Sequence, residues 1–61
     1  MKKFKYYCDK ETNNTYRFQP DVLAVRELGQ ATIYIRKDAL IKLGIKDPRD
    51  GLTITIEAGG E

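Results

Sequence analysis

The sequence predicts an α+β fold that is mostly β: an aromatic N-terminal hairpin, further strands and one short helix, in the order β-β-(β)-β-α-β. Three observations predict it. Apolar and polar residues alternate over residues 4–8, 15–19, 31–36 and 52–57, the period of a strand with one buried face. Turn formers punctuate these stretches, at residues 9–14, at Pro20, at Gly29 and in Asp47-Pro48-Arg49-Asp50-Gly51. Helical spacing takes over once, at residues 37–43.

The first strand sets Phe4, Tyr6 and Cys8 on one face. Residues 9–14 form the hairpin turn, with Asn13 and Asn14 suited to the left-handed backbone that tight turns require. The second strand places Tyr16 and Phe18 together and stops at Pro20, which has no N–H for a ladder. Residues 20–24 are a connector, residues 25–28 a short strand, and Gly29 a turn or bulge. In the next strand Ala31, Ile33 and Ile35 line one face, and Thr32, Tyr34 and Arg36 the other. Leu40, Ile41 and Leu43 then fall at helical spacing. Asp38 is the N-cap or first-turn acid, four residues before Lys42, and Gly44 stands where a C-terminal cap belongs. So short a helix depends on tertiary packing. The last strand buries Leu52, Ile54 and Ile56, and residues 58–61 fray.

Sixty-one residues make one small domain, 1–61, with a thin core. A single cysteine and no histidine exclude an intrachain disulfide and argue against a closed zinc site. No metal, cofactor or small-molecule ligand is indicated. Self-association is then the reinforcement left, and a homodimer is its expected form. The lone thiol, the lack of a signal-like N-terminus and the lack of a membrane-length apolar run together point to the cytoplasm. Eleven basic and nine acidic residues leave a net charge of +2, too small by itself to specify nucleic acid. The distribution is uneven: residues 1–19 are basic and residues 47–61 acidic.

Catalysis has little to stand on. Any histidine-based triad is excluded, and Cys8 falls on an apolar strand face, where a thiol packs rather than reacts. Asp47 and Asp50 sit in a Pro/Gly turn, and Gly59-Gly60 precedes no helix that could cradle phosphate. No catalytic residue is assigned; the chain is expected to bind rather than to catalyse.

Two segments are candidates for binding. In the hairpin, Tyr6, Tyr7, Tyr16 and Phe18 interleave with Lys5 and Arg17, a mixture suited to single-stranded nucleic acid. Tyrosine is also simply a good strand former, and Phe4, Tyr6 and Phe18 are the natural core. The second segment is Val25-Arg26-Glu27-Leu28-Gly29-Gln30 with residues 35–45, which close on Leu43-Gly44-Ile45. Together with the turn and strand that follow, it resembles the AbrB/MazE-like family of dimeric swapped-hairpin DNA-binding domains over about residues 25–57. In that family a charged strand ends in a Leu-Gly-Arg-like turn, before a short apolar strand, a short helix and an acidic turn. Arg36 stands where the family usually has proline. In overall style the chain is also similar to small bacterial and phage proteins.

The resemblance implies a homodimer whose basic strand ends and loops meet DNA phosphates. The matching cations are Arg26, Arg36 and Lys37, with Gln30 at a base edge or the backbone. Without that role, Arg36 and Lys37 are an ordinary solvated junction between strand and helix. The expected function is therefore a small dimeric DNA-binding or transcription-regulatory protein. The alternative is a protein-interaction module or accessory subunit, recognising its protein partner through an edge strand.

Overall fold

The computed structural model describes residues 2–59. Strands β1 (Lys2–Glu11), β2 (Thr15–Pro20), β3 (Ile33–Arg36) and β4 (Leu52–Ile56) form one antiparallel sheet in the order β3-β2-β1-β4, so the fold is α+β and mostly β. β1 is the long inner strand. Its first half pairs with β4, from Lys2 opposite Ile56 to Tyr6 opposite Leu52, and its second half pairs with β2. The sheet thus steps sideways at Tyr6, which belongs to both ladders.

Two short helices, α1 (Val22–Leu28) and α2 (Lys37–Lys42), each bring one side chain to the core: Phe4, Tyr6 and Phe18 of the sheet meet Ala24 and Leu40. Cross-strand partners share a face, and the register collects the apolar ones. Phe4 stands opposite Ile54, Tyr6 opposite Leu52 and Pro20, and Phe18 opposite Cys8 and Ile33. Cys8 is half-buried against this cluster.

Of the connector and short strand expected at residues 20–28, Pro20 is the last residue of β2, Asp21 a cap, and residues 22–28 are α1. Asp21 caps it, its carboxylate accepting from the Ala24 N–H at 2.9 Å, and the Gly29 N–H closes it on the Val25 carbonyl. Burial follows the helical period: Asp21, Ala24, Val25 and Leu28 turn inward, while Val22, Leu23, Arg26 and Glu27 face solvent. The fold therefore has two helices, and residues 25–28, the charged strand of the family resemblance, are the second half of the first one.

α2 begins after Arg36 as N-cap, with Asp38 as a first-turn acid whose carboxylate pairs with Arg36 at 3.0 Å. Its end matches expectation. The Gly44 N–H bonds the Ile41 carbonyl and the Ile45 N–H reaches back to Leu40, the paired bonds of a Schellman cap. Leu40 is buried, but Ile41 and the cap residue Leu43 are exposed, because so short a helix directs one large apolar side chain to the core. Ile56 is likewise 44% exposed, being at the end of an edge strand. β3 starts at Ile33 rather than Ala31, and β1 runs on to Glu11, which shortens the hairpin loop to residues 12–14. Among the described residues no non-glycine adopts positive φ, so the asparagines do not use the left-handed region. The Thr12 N–H and hydroxyl both donate to the Thr15 carbonyl and close the loop. Ala58 and Gly59 follow β4 without regular structure; the rest of the expected fray lies outside the described residues. No helix among the described residues is long and apolar enough to cross a membrane.

Candidate functional site

The sheet face opposite the core carries the outward residues of each strand. From β1 these are Lys3, Lys5 and Tyr7, with Thr55, Thr53 and Gln19 as their cross-strand partners. A β-bulge then changes the alternation. Between Cys8 and Lys10 the β1–β2 register shifts, so that Asp9 is an extra residue, Lys10 stands opposite Arg17 and Glu11 opposite Tyr16. In an unbroken strand Lys10 would point to the core and Glu11 outward, since side chains alternate strictly. The bulge reverses both. It sends a cation to the outer face and a carboxylate to the inner one.

On the inner side Glu11 joins three elements distant in sequence. Lys37 Nζ donates to its Oε2 at 2.6 Å and Arg49 Nη2 to its Oε1 at 2.7 Å, tying β1 to α2 and to the 3₁₀ turn Pro48–Asp50. Lys37 also lies 5.1 Å from the centre of the Tyr16 ring, within cation–π range. The hydrogen bond from Lys37, followed by that from Arg49, lowers the Glu11 pKa below its ordinary value. Asp9 is lowered too, chiefly by its hydrogen bond from Arg17. Both carboxylates bind protons more weakly folded than unfolded. Their stabilisation is therefore present above the unfolded pKa values and is lost as pH falls through the folded ones. The urea midpoint is expected to fall between about pH 5 and pH 3, less steeply in Glu11→Gln than in the parent. Parallel acid limbs for the two chains would remove Glu11 from this role.

On the outer side Asp9 accepts two parallel bonds from Arg17, Nε to Oδ1 and Nη2 to Oδ2, both at 2.9 Å. Gln19 donates to the same carboxylate at 3.3 Å and accepts from Gln30 and Thr32 at 2.9 and 2.8 Å. This polar chain fixes the middle of the outer face and anchors the α1–β3 connection to it. Lys10, Thr12, Thr15, Arg17 and Tyr34 line a shallow depression beside it. Tyr7 and Tyr34 are 52% and 67% exposed, large rings standing in solvent. Lys3, Lys5 and Lys10 form no salt bridge among the described residues, so their charge is not neutralised within the fold.

Of the four residues singled out from sequence, Arg36 and Lys37 line one depression with Asn14, Thr15, Asp38 and Ile41, whereas Arg26 and Gln30 lie elsewhere. Arg26 projects from α1 beside Lys2 and Lys3. Gln30 lies in the α1–β3 connection and is bonded to Gln19. Arg36 ends β3 opposite Thr15, on the outer face near the hairpin loop, where Asp38 pairs with it. Lys37, one residue on, lines the same depression as Arg36, with its ammonium held by Glu11. The outer face instead gathers Lys3, Lys5, Tyr7, Lys10, Arg17 and Tyr34, of which Lys5, Tyr7 and Arg17 belong to the aromatic hairpin recognised in the sequence. Tyr34 was legible as an outward position of its strand. Lys10 was not, because the bulge that turns it outward leaves no mark in the alternation.

No family model matches the chain, and no curated protein or solved structure matches it either.

Proposed function

We propose that the protein binds single-stranded nucleic acid across the outer face of its sheet. The observation that carries this reading is the segregation of charge by the bulge at Asp9. The outer face holds Lys3, Lys5 and Lys10, which form no ion pair among the described residues, beside two exposed tyrosines, with Arg17 paired to Asp9 and Arg36 to Asp38. A net charge of +2 is small for the whole chain, but phosphate attraction depends on where cations concentrate. Alternate residues of one strand face lie roughly 6.8 Å apart, so β1 spreads its lysines along an extended backbone track. Exposed tyrosines supply faces on which unpaired bases stack, whatever their sequence. A duplex fits less well, since its major groove admits a helix or a two-stranded ribbon rather than a broad sheet. The DNA-binding expectation is kept, with the surface moved from the strand–helix junctions to the sheet.

The test is fluorescence anisotropy of labelled single-stranded DNA, single-stranded RNA and duplex DNA at low and near-physiological salt. Both single strands are expected to bind more tightly than duplex, with affinity falling steeply as salt rises. Lys3→Ala, Lys5→Ala and Lys10→Ala combined should flatten the logarithmic salt slope by about 0.7 for each phosphate left without its lysine. Tyr7→Ala with Tyr34→Ala should weaken binding by about 1–3 kcal/mol per base unstacked. Absence of binding at low salt, or affinity indifferent to these substitutions, would contradict the reading.

A second reading, the protein-interaction module, has one observation in its favour. Ile41 and Leu43, near the end of α2, are both large apolar residues in solvent, 74% and 72% exposed.

A further inference from the structure

The sheet is open, and its two edges differ. β3 ends on the charged Arg36 and passes directly into α2. β4 is Leu-Thr-Ile-Thr-Ile, without charge, proline or bulge, and its pairing with β1 runs unbroken along all five residues. Natural edge strands are usually guarded by lysine, proline, a bulge or a covering element, because unpaired N–H and C=O groups recruit another strand. β4 has none of the first three, and β1 is its neighbour on one side alone.

The edge is also complementary to itself. Antiparallel pairing of two β4 strands about Ile54 sets Leu52 opposite Ile56, Thr53 opposite Thr55 and Ile54 opposite its own copy. Cross-strand partners share a face, so apolar residues would continue the inner face and threonines the outer one. Ile56, the exposed apolar residue of β4, would gain the second copy's Leu52 as neighbour. The core of one protomer is small: among the described residues its buried hydrophobic side chains are Phe4, Tyr6, Phe18, Ala24 and Leu40.

We propose that two copies join edge to edge through β4, antiparallel about Ile54, into a continuous eight-stranded sheet with two-fold symmetry. The pairing stands independently of nucleic-acid binding. It does bring Lys3 and Lys5 of both copies to one seam, since they flank Thr55 and Thr53 in each.

Sedimentation velocity of the full chain over about a hundredfold concentration range tests it, with two variants. Thr53→Glu/Thr55→Glu sets carboxylates beside Lys5 and Lys3 of the same protomer, which favours the fold, but sets them against each other across the seam. Thr53→Lys/Thr55→Lys repels across the seam with the opposite sign. The parent is expected to sediment as a dimer, each variant, folded by circular dichroism, as a monomer, and their equimolar mixture as a dimer again. A parent that stays monomeric throughout would overturn the proposal. So would a folded glutamate variant that remains dimeric, or two folded variants that do not pair when mixed.

Discussion

Phe18→Ala is expected to abolish cooperative folding. Phe18 has no exposed surface; it sits in the middle of β2, between Cys8 on one side and Ile33 on the other, with Ala24 and Leu40 in the same cluster. Its ring also lies 6.3 Å from that of Tyr16, tilted by 42°, a favourable aromatic pair. Truncating a buried phenylalanine costs about 3–5 kcal/mol, because the transfer energy is lost and the cavity does not fully collapse. Stability of roughly 0.05–0.15 kcal/mol per residue gives 61 residues about 3–9 kcal/mol, and at the middle of that range the loss removes half of it or more. Circular dichroism with a urea titration should show no sigmoidal transition. The exposed Tyr34→Ala, on the same sheet, is the contrast and should keep one. A Phe18→Ala chain unfolding within about 1 kcal/mol of the parent would mean that this cluster is not the core.

Gly51→Ala is expected to be the most damaging substitution outside the core. Gly51 connects the 3₁₀ turn to β4 with φ +103° and ψ 178°, a conformation reserved for glycine that costs other residues about 1–3 kcal/mol. A Cβ there would stand 2.6 Å from the Tyr6 carbonyl oxygen. That oxygen is backbone and cannot swing away. The strand carrying it is pinned on both sides at Tyr6, by Leu52 and by Pro20. Relief must come from moving β4 or the turn, which also carries Arg49 to Glu11. Gly44→Ala separates the two causes: φ is +81° but nothing lies within 4 Å of its added methyl. It should cost about 1–2 kcal/mol, the conformational part alone. Gly51→Ala should lower the melting temperature well beyond that; equal shifts would show that the close approach to Tyr6 carries no weight.

The strands were legible where alternation and turn chemistry agreed. In Phe4, Tyr6 and Cys8 against Tyr16 and Phe18, both faces of the hairpin can be read, and β4 follows from the Leu-Thr-Ile-Thr-Ile pattern. Gly44 after Leu40 and Ile41 announced the helix end that the structure realises. α1 was hidden for a local reason. It has only seven residues, and its apolar run, read from Val25 onward, fits a short strand as easily. The decisive signal lay upstream, in Asp21 after Pro20, with Ala24, Val25 and Leu28 at helical intervals from it. Exposure of Ile41 and Leu43 could not be foreseen from spacing, because it depends on where α2 meets the sheet.

The candidate surface was legible in part for a different reason. Lys5, Tyr7 and Arg17 lie in the hairpin that already suggested stacking between cations. The bulge at Asp9 could not be read, since residues 9–14 look like an ordinary polar turn, yet it decides that Lys10 faces outward and Glu11 inward. Arg36 and Lys37 are adjacent in sequence and line one depression, but the change from strand to helix gives them different partners, Asp38 for Arg36 and Glu11 for Lys37.

Amide chemical-shift mapping during titration with a short single-stranded oligonucleotide tests binding at the outer face most directly. Perturbations should gather on Lys3, Lys5, Tyr7, Lys10, Arg17 and Tyr34 and leave α2 beyond Lys37 unmoved. Perturbations centred on Ile41 and Leu43, or none at low salt, would contradict binding at the sheet.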